Sequence, residues 1–134
     1  MPKTSILLVV MAASVLVMGC GGNQAVEPEV QRHKGELTDI YNSYATYSKN
    51  NQRPPQKMSE IMTPQFMGES QIGLQALKEG QYAVVWGVDV NGKDSTKVVA
   101  YEKDAPTNGG WVVAADGIPK QMTADELKAA LPKK

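Results

Sequence analysis

The sequence predicts an α+β domain behind a separate apolar leader: a long N-terminal amphipathic helix packed on a small three- to four-stranded antiparallel sheet, with a short C-terminal helix. Three observations predict it. Residues 6–18 form an uncharged apolar run, and the chain after Cys20 is polar or mixed. From residue 30, Val30, His33, Leu37, Ile40, Tyr41 and Tyr44 recur at the i, i+3, i+4 spacing of one helix face. From Tyr82 the apolar period shortens towards two, and the pairs Asn91-Gly92 and Asp116-Gly117 punctuate it as turns.

The leader comes first. A basic n-region (Lys3) precedes a thirteen-residue apolar run, too short to cross a bilayer, which takes roughly 20. The run ends in Leu16, Val17, Met18, Gly19 and Cys20. That ending resembles the bacterial lipobox, a cysteine preceded by a small residue and aliphatic positions, with Val17 standing where leucine is usual. The resemblance implies cleavage between Gly19 and Cys20, a diacylglyceryl group on the Cys20 sulfur and acylation (palmitate-type chains) of the new amine. Cys20 is the sole cysteine, so the mature domain folds without disulfides. An exported chain with a free thiol would risk intermolecular pairing, and lipidation removes that thiol. The partner implied is membrane lipid, reached through acylated Cys20. Gly21 stands where an aspartate holds some lipoproteins at the inner membrane, which favours the periplasmic face of the outer membrane.

Residues 1–19 are thus read as signal peptide, 20–29 as lipidated cysteine and polar tether, and 30–134 as one domain. Removing the signal deletes Lys3 and no acid, leaving 13 basic against 14 acidic residues. A near-neutral chain with no basic cluster has no electrostatic footprint for nucleic acid.

Within the domain, Gly35 weakens the early turns of the first helix, so its secure part is 36–50, and Pro54-Pro55 forbids continuation. A short helical segment is expected over 57–62, and another from a Ser70 cap to a Gly80 stop. Strands are expected over 82–88, 96–102, 111–115 and 118–122, with a loop around Pro106. Thr123 to Glu126 reads as a capping box opening the last helix, whose inward residues are Leu127, Ala130 and Leu131. Trp86, Trp111, Tyr82 and Tyr101 are expected to carry much of the core.

Tyr47, Asn51 and Pro55 at the end of a long helix, then Val-Val-Ala-Tyr-Glu (98–102), Gly-Gly-Trp-Val-Val (109–113) and Ala-Asp-Gly (115–117), resemble the globular part of type II secretion major pseudopilins. The resemblance spans 36–122. Pseudopilins keep a glutamate-bearing apolar helix that packs into the fibre. Here the apolar segment holds no glutamate and ends in a lipobox. The resemblance therefore implies a tethered accessory domain, with envelope or secretion-apparatus proteins as partners, in place of a fibre subunit.

Chemistry is sparse. His33 is the single histidine and is read as a half-buried packing residue. No nucleophile elbow, phosphate loop, cofactor motif or zinc ligand set is present. Asp89 to Asp94 offers oxygen ligands of the kind that hold calcium in pseudopilins, but Asn91-Gly92 is explained by a hairpin turn. Asp104 and Asp116 are weaker candidates of the same kind. Tyr41 and Tyr44 are expected in the core and Tyr47 on the surface. The expectation is a non-catalytic envelope lipoprotein with no cofactor and no metal. The alternative is a tethered small-ligand-binding or enzymatic domain, which a deep pocket with convergent polar groups would favour.

Overall fold

The computed structural model describes residues 28–69 and 71–133; the lipobox residues Gly19 and Cys20 lie outside them. Helix α1 (Pro28–Asn51) is followed by a 3₁₀ turn (Met58–Glu60) and helices α2 (Pro64–Glu69) and α3 (Gln71–Lys78). Next come β1 (Tyr82–Val84), β2 (Val98–Glu102), the short helix α4 (Ala105–Asn108), β3 (Gly110–Ala114), β4 (Pro119–Met122) and α5 (Ala124–Ala130). The four strands form one antiparallel sheet in sequence order.

At about 1.5 Å per residue, the 24 residues of α1 span roughly 36 Å. It starts at Pro28, where a proline in the first turn forfeits no hydrogen bond. Its buried stripe holds Leu37, Ile40, Tyr44 and Tyr47, joined by Glu36, Ser43 and Ser48. This stripe meets Val99, Ala100, Val113 and Ala115 of the sheet and Leu74 and Leu77 of α3 in the main core. Complete burial of Leu37 and Ile40 stabilises the fold by about 1.5–3 kcal/mol each. Residues on the opposite sheet face, Val98 and Val112, pack with Ala105 and Leu127 in a smaller cluster under α4 and α5.

Local signals appear where the sequence placed them. The Thr123 hydroxyl accepts from the Glu126 N–H and the Glu126 carboxylate accepts from the Thr123 N–H, so the capping box opens α5. Gly80, at φ +81°, ends α3: its N–H bonds to the Leu77 carbonyl, and that of Gln81 reaches Ala76. That pair of bonds is a Schellman stop, which asks for a left-handed residue that glycine adopts without strain. Gly73 serves a close approach. A Cβ there would collide with the Glu36 carbonyl and the Asp39 Cβ, and its N–H donates to Asp39 Oδ2 at 3.1 Å.

Other expectations are corrected. The strand expected over 82–88 ends at Val84. The Tyr44 hydroxyl donates to the Val85 carbonyl (3.0 Å) and accepts from the Val88 N–H (2.8 Å), while the Gly87 N–H donates to the Pro55 carbonyl. The Val85 N–H still donates to the Val99 carbonyl of β2 (2.8 Å), and beyond it those bonds draw residues 86–88 onto α1 and the Pro55 corner and away from the sheet. The helix expected over 57–62 is a single 3₁₀ turn, and the Pro106 loop contains α4. The core is more aliphatic than expected. Tyr44 is its largest fully buried side chain, and Trp86, Trp111 and Tyr101 are half-buried at its edges.

Candidate functional site

The densest polar cluster gathers around His33. In the sheet register Tyr82 pairs with Glu102, so both side chains stand on one face, beside the first turns of α1. The Tyr82 hydroxyl donates to Glu36 Oε2 at 2.5 Å. A phenol has one proton, so at the 2.8 Å contact with His33 the hydroxyl oxygen accepts from Nδ1–H. The same ring nitrogen lies 3.1 Å from Glu102 Oε1. This network assigns the proton to Nδ1 and turns Nε2 outward, where Glu29 Oε1 stands at 3.7 Å. The second Glu102 oxygen accepts from the Trp111 N–H at 2.7 Å, close against Gly110.

Burial pushes the Tyr82 hydroxyl well above its ordinary value; its bond to Glu36 and the charges of Glu36 and Glu102 push the same way. Tyr82 therefore stays protonated and serves as a fixed donor. The adjoining opening is a shallow groove of about 260 Å³ lined by Glu29, Val30, His33, Glu102, Trp111 and Gln121. The Lys34 ammonium stands 5.3 Å from the centre of the Trp111 ring, a cation–π distance. His33 is thus no plain packing residue. It joins α1 to β1 and β2, and no nucleophilic hydroxyl or thiol stands at its Nε2 among the described contacts.

A second cluster closes the far end of α1. Tyr47 is buried, against the expectation of exposure, because the chain folds back after Pro55 and brings Glu60 over it. The Tyr47 hydroxyl donates to Glu60 Oε1 (2.8 Å), Arg53 donates to the same oxygen (2.6 Å), and the Gln56 N–H donates to Oε2 (2.6 Å). Arg53 first, then the Gln56 N–H and the Tyr47 hydroxyl, hold the Glu60 carboxyl down at about 2. Asn51 donates its side-chain amide to the Tyr47 carbonyl, and Pro55 is fully buried. Tyr47, Asn51 and Pro55 therefore build a helix stop and a fold-back.

The remaining candidates are distributed. Asp89 accepts from the Asn91 N–H, Asp94 from the Thr96 N–H and hydroxyl, and Asp116 from the Ile118 N–H, each closing its own turn. The Thr96 bonds hold the Asp94 carboxyl below the usual range. Among the described residues, no group of three or more histidine, cysteine, aspartate or glutamate side chains is arranged to hold a metal ion. Tyr41 donates to the Ala115 carbonyl at 2.9 Å, and burial pushes the Tyr44 hydroxyl up to about 12. Tyr44 lies in the core as expected, Tyr41 packs against it, and both hydroxyls also fasten the backbone. The sequence reading missed Glu36, Tyr82, Glu102 and Glu60. A glutamate on the apolar stripe of a helix was the available signal for Glu36.

Among the described residues no helix is long and apolar enough to cross a membrane. Compared with known proteins, the chain matches no family model, no curated protein and no solved structure.

Proposed function

We propose that this chain is a lipid-anchored bacterial envelope protein whose α+β domain binds protein partners and catalyses no reaction. The observation that carries the reading is the position of Cys20, one residue past Gly19 at the end of an apolar run too short to span a bilayer. Helix α1 begins eight residues later, at Pro28, and eight residues reach at most about 28 Å. A lipidated Cys20 would hold the domain close to the membrane surface.

Two structural features support a binding role. His33, Tyr82, Glu36 and Glu102 are engaged with one another, and the openings on the described surface are shallow grooves. The amphipathic reading of α1 belongs to this proposal: its buried stripe faces the sheet, while Gln31, Asn42, Thr46 and Lys49 remain exposed for a partner. The kinship to pseudopilins is part of it as well, resting on the helix-then-meander order and the Tyr47, Asn51 and Pro55 corner.

The test is intact mass after expression in a bacterium, wild type beside Cys20→Ser. The expected product begins at Cys20 and carries acyl mass that the variant lacks. A product retaining residues 1–19, or one cut without acylation, overturns the anchor.

A further inference from the structure

The described residues contain four methionines, and three of them, Met58, Met62 and Met67, line one groove of about 390 Å³ together with Ser59 and Lys78. Met58 comes from the 3₁₀ turn, Met62 from the bend after it and Met67 from α2, so the chain reversal beyond Pro55 brings them together. Met62 and Met67 are half-buried against the main core. Met58 is 40% exposed. Met122, the fourth, lies elsewhere, at the end of β4.

The donor set selects its ligand. Thioethers are neutral, soft and polarizable, and they favour Cu(I) over the hard divalent ions that take carboxylates. Among the described residues, no carboxylate, imidazole or thiol lines this groove. Its remaining polar groups are the Ser59 hydroxyl and the Lys78 ammonium. The lysine charge repels any cation in proportion to its charge, which weighs hardest against divalent ions. Methionine has three rotatable bonds, so three sulfurs around one opening can adapt to a common centre. A thioether carries no proton to lose, so such binding needs no deprotonation.

We propose that Met58, Met62 and Met67 form a binding site for a soft monovalent cation, Cu(I) in its biological form, with exposed Met58 as the first ligand met from solvent. The ion arrives already reduced, sulfur lone pairs form the bonds, and the ligands of its carrier or solvent are released. No electron is transferred. The site is independent of the lipid anchor.

The experiment uses the full chain in detergent with Cys20→Ser, so that no free thiol competes, and the methionine methyl groups labelled with ¹³C. Ag(I), a redox-stable probe of the same charge and softness, is titrated by NMR, and Cu(I) is then competed against a chromophoric chelator. The expected result is that the Met58, Met62 and Met67 methyl signals shift together and saturate while those of Met1, Met11, Met18 and Met122 stay in place. The variant Met58→Leu/Met62→Leu/Met67→Leu conserves volume, and an unchanged circular dichroism spectrum would confirm that it folds. It should lose that saturable binding, and Met58→Leu alone should weaken it. Equal binding by the triple variant, shifts of Met122 alongside the other three, or no binding of either ion would overturn the site.

Discussion

The two ends of α1 are held by the same residue types with opposite physics. At the N-terminal end, Glu36 is buried and its carboxylate accepts from a tyrosine that bridges to the histidine. At the far end, Glu60 is half-buried and gathers three donors, one of them the exposed guanidinium of Arg53. A buried carboxylate depends on each donor it has, because desolvation is costly without them. A half-buried one keeps some access to water, and an ion pair with an exposed partner contributes little. The sequence separations differ too. Tyr82 lies 49 residues from His33, whereas Glu60 lies 13 from Tyr47 and seven from Arg53. The N-terminal end is therefore fastened by tertiary structure and the far end by a local fold-back.

The largest expected effect follows from removing the shared donor at the N-terminal end. Tyr82→Phe takes the phenol from Glu36 and an acceptor from His33, and should destabilise the domain by about 2–3 kcal/mol in urea unfolding. Next in size, and opposite in sign, is Gly35→Ala. Gly35 is exposed in mid-helix with open space where a Cβ would stand, so alanine should stabilise by about 0.5–1 kcal/mol. If helix propensity and the His33 cluster act separately, this gain should persist in the Tyr82→Phe background.

At the far end the effects are smaller and depend on pH. Glu60 is held at about 2 against an ordinary 4.5, so its contribution to stability is present above about pH 4.5 and is lost as pH falls towards 2. Glu60→Gln should therefore differ most from wild type near neutrality. The two unfolding curves should converge through that acid window. Tyr47→Phe should have the smallest effect, because Arg53 and the Gln56 N–H keep both Glu60 oxygens occupied. A loss from Tyr47→Phe as large as that from Tyr82→Phe would erase the distinction between the ends.

Legibility in the sequence follows the same division. The capping box at Thr123, the Gly80 stop and the Asp116-Gly117 turn involve neighbours, and the residues that form them were readable. The long helix α1 was readable, and Leu37, Ile40 and Tyr44 are buried in it beside Glu36, Ser43 and Ser48. The His33 cluster was not, since it depends on the pairing of Tyr82 with Glu102, a register that period alone does not fix. Tyr47 was misplaced because helical period assigns it a direction but cannot see the returning Glu60. The strand beyond Val84 was overextended for a related reason: Tyr44 and Pro55 take its backbone groups, and nothing in residues 85–88 announces that. The single histidine was noticed, and its three carboxylate neighbours were not.

The most direct test is native-state hydrogen exchange on wild type, Tyr82→Phe and Tyr47→Phe, followed amide by amide along α1. If the N-terminal end of α1 is fastened by the His33 cluster, Tyr82→Phe should speed exchange in the first turns through Glu36 and in β1 and β2, while Tyr47→Phe leaves those amides protected. Unchanged protection of those turns in Tyr82→Phe would contradict the account and assign the hold on α1 to its apolar stripe alone.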